Sequence, residues 1–540
     1  MDMKKSRILS IVLTTALLGL VLTACGKSQS SNKKNLNWTT NASIASLDPS
    51  KAVDTNTQQA VYNAFSGLVS PDGSNKVRLA TAKSYHVSKD GKTYTFDLKH
   101  TEWSNGKELT AKDFEYGIKR SADPKTASQQ AYYMANIENY AAISKSQLSP
   151  DKLGVKAIGK YKLQIKLIKP QPYFLNLLVL PIFYPQSEST VKKYGKSYGT
   201  TSSKILYNGA FKITNWTGTN DSWTLTKNKE YYNADKTKLD SIKYTVIKDP
   251  QTALNEYQSG KLDQTTLVGK QQYNSYKNSK GFHLRKIYSV RYLSLSDKNE
   301  PAFRNVNIRK ALSLIIDRKE LLNDVLGNGS TQARGIVPDT LASRNGKDFN
   351  DYASVSDAVN GNVEQAKKLW KKGLSEIGKN NLTISINSNN GEDAKPIVEF
   401  IQNQFSKLPG LKVNLTLLPN TVATARFLSG QYQIAVTGWS PSISDPISPL
   451  NIRYSTNAMN TAKWSNSEYD KLIDKSNDDD ALNPAKRWND LVDAQKVLLN
   501  DQGLIPLFQP AQAELIKSDI HGVRFYGNGP IWDFSETYVK

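Results

Sequence analysis

LTISI, beginning at Leu382, is followed by KPIVEFIQNQFSKL from Lys395 and LKVNLTL from Leu411. VATARFLSG comes next, and then QIAVT, ending at Thr437. These five pieces read as strand, helix, strand, short helix and strand. Strands alternating with helices define an α/β lobe, and ligands in such lobes bind beyond the carboxyl ends of strands. GWSPSISDP, Gly438 to Pro446, occupies that position directly after QIAVT. It packs an aromatic, two prolines and a carboxylate into one short segment. The stretch is therefore read as the edge of a binding cleft, with a plain turn as the alternative.

Working outward, VRYLSLS, Val290 to Ser296, reads as a strand. NVNIRKALSLIIDRKELLNDVLG reads as one helix whose apolar face carries Ile308, Leu312, Ile315, Leu322 and Leu326, with Gly327 ending it. GNVEQAKKLWKKG is expected to be a helix closed by Gly373. Nearer the start, SLDPS is a turn, and TQQAVYNAF begins a helix that Gly67 and SPDG stop. KTYTFDLK and YKLQIKLIK alternate as half-buried strands. Between them Thr110 stands three residues before Asp113, close to a capping box. YNGAFKITNW and SWTLTKN add strands, and the tail holds helices around Tyr469 to Ile473 and Trp488 to Leu499. A chain of 540 residues is long for one core, so two or three lobes are expected.

The first residues address the compartment. Lys4, Lys5 and Arg7 precede the apolar run ILSIVLTTALLGLVL, and LTACG follows. This is the layout of a secretion signal over 1–24, too short for a permanent span. L-T-A-C looks like a bacterial lipobox, which makes Cys25, the only cysteine, a lipidation site rather than a disulfide partner. The small polar residues of 25–35 read as a flexible tether. The net charge is +22, but its lysines are scattered and no nucleic-acid motif is present, so nucleic acid is not an expected partner. Catalysis finds no constellation. His86, His100, His283 and His521 share no metal-ligand spacing, and GNGSTQARG lacks the ending of a phosphate loop. No enzyme activity, metal or cofactor is expected. A tethered, extracellular, lobed protein of this kind fits capture of a solute in a closing cleft.

Five stretches then carry a likeness in order: SLDPSKAVDTNTQQAVYNAFSGLV, EWSNGKELTAKDFEYGIKRSADPKTAS, YNGAFKI, NVNIRKALSLIIDRKEL and GWSPSISDP. With the lipobox ahead of them, the chain resembles the oligopeptide-binding lipoproteins of ATP-driven peptide importers, extracellular solute-binding proteins of family 5. The resemblance implies a type II periplasmic-binding-protein-like fold, with two main α/β lobes around a ligand cleft plus an inserted third lobe. Lobe one would combine 36–72, 205–290 and 508–540; lobe two would be 73–204, and lobe three 291–507. It implies a monomer, lipid-anchored on the outer face of a Gram-positive cell membrane. There it would capture oligopeptides and deliver them to the membrane subunits of an ABC permease with ATP-hydrolysing subunits. The alternatives are a receptor for a signalling or non-standard peptide, and an extracellular hydrolase. An extended peptide would be held by main-chain bonds from Val53, Asp54 and Thr55 on one side and Gly438, Trp439 and Ser440 on the other. The aspartate that meets the peptide's amino group in relatives is Ser442 here, and serine makes no charge-assisted bond to an ammonium. Asp445 or Asp54 is the candidate substitute, with a turn or cap role before Pro446 as the alternative for Asp445. Trp439 is read either as a pocket wall or as packing beneath the loop.

Overall fold

The computed structural model describes residues 34–73, 76–391, 393–527 and 531–540. The secretion signal, Cys25 and the tether up to residue 33 lie outside the described residues. Among the described residues, no helix is long and apolar enough to cross a membrane.

Trp38, Trp223 and Tyr244 anchor the first sheet. Asn35–Thr40 runs parallel to Ser241–Val246, and Ser222–Lys227 and Phe211–Thr214 continue it antiparallel. Alternation decides its faces: Trp223 and Leu225 are buried while Thr224 and Thr226 are only half-buried. Helix Thr55–Ala64 packs Ala60, Val61 and Ala64 onto this core, and Asp54 caps it by accepting the Thr57 N–H at 2.9 Å. A second, antiparallel sheet orders Gln264–Leu267, Ala511–Ile516 and Phe282–Lys286.

The segment between these pieces builds its own antiparallel sheet, Ala82–Val87, Thr93–Leu98, Lys162–Lys166 and Val155–Gly159. Helix Ala111–Ala122 starts on the expected capping box of Thr110 and Asp113. Phe96, Phe114, Leu163 and Phe174 of this segment share one continuous apolar core with Trp38 and Trp223, so the segment and the first sheet form one body.

The six-stranded sheet of the second half orders Thr331–Gln332, Ile505–Gln509, Val290–Leu295, Ile434–Trp439, Leu382–Asn389 and Leu411–Leu418. The last three are parallel and the rest antiparallel. Both faces are covered. Helices Val306–Leu314, Val363–Glu376 and Ala394–Ser406 pack against Leu293, Ile384 and Ile434. Tyr292, Trp464, Tyr469 and Leu498 fill the opposite face.

Three expectations change here. The long helix after Val290–Leu295 is broken at Ile315. Asp317 caps a new turn by accepting the Glu320 N–H at 2.9 Å, and Arg318 turns inward to donate to the carbonyls of Pro506 (2.8 Å) and Ser313 (3.0 Å). Gly327 still ends the second piece, in the left-handed region at φ 53°. Gly373 closes nothing; the helix runs through it to Glu376. A Cβ there would lie 2.7 Å from Ile308 Cγ1 and 3.0 Å from the Ile308 nitrogen, so the glycine lets two helices touch. Finally, the strand begun by QIAVT extends through Gly438 and Trp439.

The chain passes between the two halves at two places: from Phe282–Lys286 into Val290–Leu295, and from Ile505–Gln509 into Ala511–Ile516. The Ile287 N–H donates to the Pro510 carbonyl at 3.1 Å, and Gln509 Nε2 donates to the Ile287 carbonyl at 3.1 Å.

Gly373→Ala tests the helix contact. Alanine gains about 1 kcal/mol of helix propensity, but overpacking against a backbone atom costs about 1–3 kcal/mol. Net destabilisation is expected as a lowered urea midpoint with an unchanged slope; a raised midpoint would show that the helices separate freely.

Candidate functional site

Both halves turn the carboxyl ends of parallel strands toward one cavity of about 780 Å³. From the first half come Thr39 and Thr40 at the end of Asn35–Thr40, and Thr55 at the start of the following helix. From the second come Ser388 and Asn389, at the end of Leu382–Asn389, and Thr437. The floor lies near the crossings, with Ile287 and Pro510 in the lining. This is where α/β sheets bind ligands, because helix N-termini and unpaired strand ends leave amide groups unclaimed. Two buried side-chain atoms in the lining, Ser388 Oγ and Gln264 Oε1, have no hydrogen-bond partner among the described residues. Such groups cost free energy unless something in the cavity bonds them.

The Gly438 edge is open by arithmetic of the ladder. The Ser296 N–H donates to the Gln433 carbonyl at 2.8 Å. Alternation along an antiparallel pair then turns Ala435, Thr437 and Trp439 toward Val290–Leu295, and Gly438 away from it. On that other side, pairing with Leu382–Asn389 ends at Asn387 and Ala435. Gly438 therefore offers its N–H and C=O beyond the last rung. The Arg291 side chain lies across it: a Cβ at Gly438 would sit 2.8 Å from both Cδ and Nη1 of Arg291 and 3.2 Å from the Val290 carbonyl oxygen.

The residues singled out from sequence fall in different surroundings. Thr55 lines the cavity and is exposed, Val53 beside it is exposed, and Asp54 is committed to its helix cap. Trp439 is half-buried and packs with the cluster of Tyr292 and Trp464, beneath the loop rather than in the cavity lining; its Nε1 finds no partner. Ser440 is exposed. Ser442 accepts a hydrogen bond from the Tyr133 hydroxyl at 2.6 Å, and the Ser444 carbonyl accepts from Asn176 Nδ2 at 3.1 Å. Between them Ile443 is 3% exposed, inserted in the core of the first half.

Asp445 is buried and spoken for. Arg487, on helix Pro484–Asn500, grips it with Nη2 to Oδ1 at 2.8 Å and Nη1 to Oδ2 at 3.0 Å. Oδ1 also accepts the Ile447 N–H at 3.0 Å, the local turn role weighed from the sequence. The guanidinium sits 5.6 Å from the Tyr173 ring and is held above its ordinary pKa by Asp445, despite burial. Asp445 thus fixes the loop; no oxygen of it points into the cavity lining. Arg309 is likewise a brace, bonded to the Asp501 carboxylate at 2.8 Å and to the carbonyl of Phe303. Sequence reading missed Arg291, Ser388 and Gln264. The signal for Arg291 was available: in VRYLSL it alternates with Leu293 and Leu295 and so shares their core-facing side.

A mixed α/β molecule with a cavity between two halves joined by two crossings has the architecture of a solute-binding protein. The comparisons agree. The model of bacterial extracellular solute-binding proteins, family 5 (middle), matches residues 76–461. A dipeptide-binding protein of Lactococcus lactis is 34% identical over all of this chain and all of its own. The solved OppA of Listeria monocytogenes, bound to peptide, superposes with a TM-score of 0.77 at 34% identity, covering 94% of this chain and 100% of its own. The solved pheromone receptor PrgZ, whose mode of peptide binding is described, gives the same TM-score, identity and coverage. The chain belongs to the extracellular solute-binding proteins of family 5. Its fold is the α/β, type II periplasmic-binding-protein kind, with its sheets arranged in lobes, and it binds rather than transforms.

Asp445→Asn should destabilise the protein by about 3–5 kcal/mol, because it leaves Arg487 buried against a neutral partner. Thermal unfolding at pH 7 checks this, with Asp445→Asn plus Arg487→Met expected to recover part of the loss. An unchanged melting temperature in the single variant would show that the pair does not hold the loop.

Proposed function

We propose that this protein captures peptides outside the cytoplasm and delivers them to a membrane ABC permease. The observation that carries the reading is the open main-chain edge at Gly438 beside a cavity of about 780 Å³. An extended peptide can continue that ladder by strand addition, which gives affinity without reading side chains. In this reading Val53–Thr55 and Gly438–Ser440 flank the ligand, and water bridges serve its side chains. The chain is read as the three lobes expected from sequence, lobes one and two moving together on their shared core, with the change from the third lobe to the first at Pro510. Cys25 carries the lipid that holds a monomer on the outer face of a Gram-positive cell membrane. Transport itself falls to the permease's membrane and ATP-hydrolysing subunits. A second role, reception of a signalling peptide, is supported by the likeness to the pheromone receptor.

Neither Ser442 nor Asp445 is available to a peptide's amino group in this arrangement, and Asp393 is the only carboxylate in the described cavity lining. In this reading no fixed carboxylate anchors the N-terminus, and the peptide is held along its main chain.

Protein isolated from its host should release intact peptides on elution, read by native mass spectrometry. No eluted peptide, with none binding on titration, would defeat the capture reading, and steady shortening of added peptides would favour hydrolysis. Acetylating the N-terminus of a bound peptide should change Kd by less than about threefold. A loss of about ten- to hundredfold, the worth of one charge-assisted hydrogen bond, would restore an amino-group anchor, which Asp393→Asn would then locate.

A further inference from the structure

The first half holds a second cavity, of about 360 Å³, and every described residue of its lining belongs to that half. Trp532 is the wall it shares with the cavity between the halves. Gln59, on the side of the cavity between the halves, donates to the Trp532 carbonyl at 2.9 Å. Asn63, on the side of the second cavity, donates to the same carbonyl at 2.7 Å. The wall is thus pinned from both sides. Space of this size, walled by aromatic side chains with a few polar groups among them, is what small organic ligands occupy. Tyr62, Phe65, Tyr231, Tyr232 and Tyr526 supply rings beside Trp532.

The polar groups of the lining are unbalanced in charge. Lys99 directly follows strand Thr93–Leu98, and its ammonium donates to the Ala80 carbonyl and lies 4.4 Å from the centre of the Tyr232 ring. Burial first, then Arg78 and Lys236, hold that ammonium below its ordinary pKa. Among the described residues it is the only lysine displaced in this direction. Both charges that act on it are of its own sign. Two carboxylates do line the cavity, Asp533 and Glu536, but Arg524 bonds both of them and Arg78 stands 3.6 Å from each. Lys99 and Lys236 are therefore the unmatched charges, and Lys236 is exposed. The Tyr62 hydroxyl, held above its ordinary pKa by burial, has no hydrogen-bond partner among the described residues and keeps its proton to donate. Like charges gathered at a partly desolvated wall repel one another unless an anion enters between them.

We propose that this cavity is a second binding site, for a small aromatic anion such as an aromatic carboxylate. The tyrosine rings receive its flat face, Lys99 and Lys236 meet its charge, and the Tyr62 hydroxyl is a further donor. The site is separate from the cavity between the halves and stands independently of the peptide-capture reading.

Calorimetric titration of the full chain tests it with 2-naphthoate, its uncharged amide 2-naphthamide, and inorganic phosphate. Wild type should bind 2-naphthoate about ten- to hundredfold more tightly than either of the others. In Lys99→Met the preference over the amide should fall to near one, and in Lys236→Met it should fall in part. Tetra-alanine should not displace 2-naphthoate, and its own Kd should stay within about threefold in both variants. Lys99 also ties a strand end to the Ala80 carbonyl, so unfolding midpoints are measured without ligand; Lys236 is exposed and carries the test if Lys99→Met unfolds. Equal affinity for the acid and its amide, or a preference that both variants keep, overturns the proposal. Phosphate binding as tightly as 2-naphthoate overturns it too, by making the site one for bare anions. Displacement of 2-naphthoate by tetra-alanine would return the ligand to the cavity between the halves, and no binding of any probe would leave no second site; either result overturns the proposal.

Discussion

The two halves of the molecule are one protein because the chain crosses between them twice, side by side, and is pinned there. Pro510 cannot donate a ladder hydrogen bond and has a fixed φ, so the second crossing cannot simply continue the strand before it. Its carbonyl instead takes the Ile287 N–H of the first crossing. Relative motion of the halves is thereby confined to the torsions of a few residues. Every other feature of the site follows from that constraint. Two stacks of parallel strand ends face each other at a distance the crossings set, and a solute touching both stabilises the closed arrangement by its differential affinity.

Much of this was legible in the sequence because local periodicity reports local structure. LTISI, KPIVEFIQNQFSKL and LKVNLTL each sit in the element their spacing implied, and the Thr110–Asp113 box starts a helix. What escaped was long-range. Gly373 looks like a stop in one dimension, and only the neighbouring helix explains it. The break at Ile315 depends on Arg318 finding the Pro506 carbonyl far along the chain. For Asp445, a ligand anchor and a turn cap were equally readable, because its partner lies on another helix, at Arg487. Periodicity also left Arg291 in plain view as the one charge in VRYLSL, and it lines the cavity.

The family explains what kind of molecule this is, and the residues explain how it differs. Ser442 is bonded to Tyr133. The neighbouring carboxylate serves the architecture of the loop. The cavity is left with a cationic lining and an unclaimed strand edge. A ligand on such a surface would meet a main-chain edge that is indifferent to sequence and a positive field that is not.

The loop after that edge has a mechanical meaning. It leaves the six-stranded sheet at Trp439, is locked to its own half by Arg487, and drives Ile443 into the core of the other half. The halves are thus joined at a third, non-covalent point. Separating them must withdraw one large aliphatic side chain from an apolar core, a cost of about 1.5–3 kcal/mol. A small wedge in a loop in this way resists the parting of the halves without itself lining the space between them.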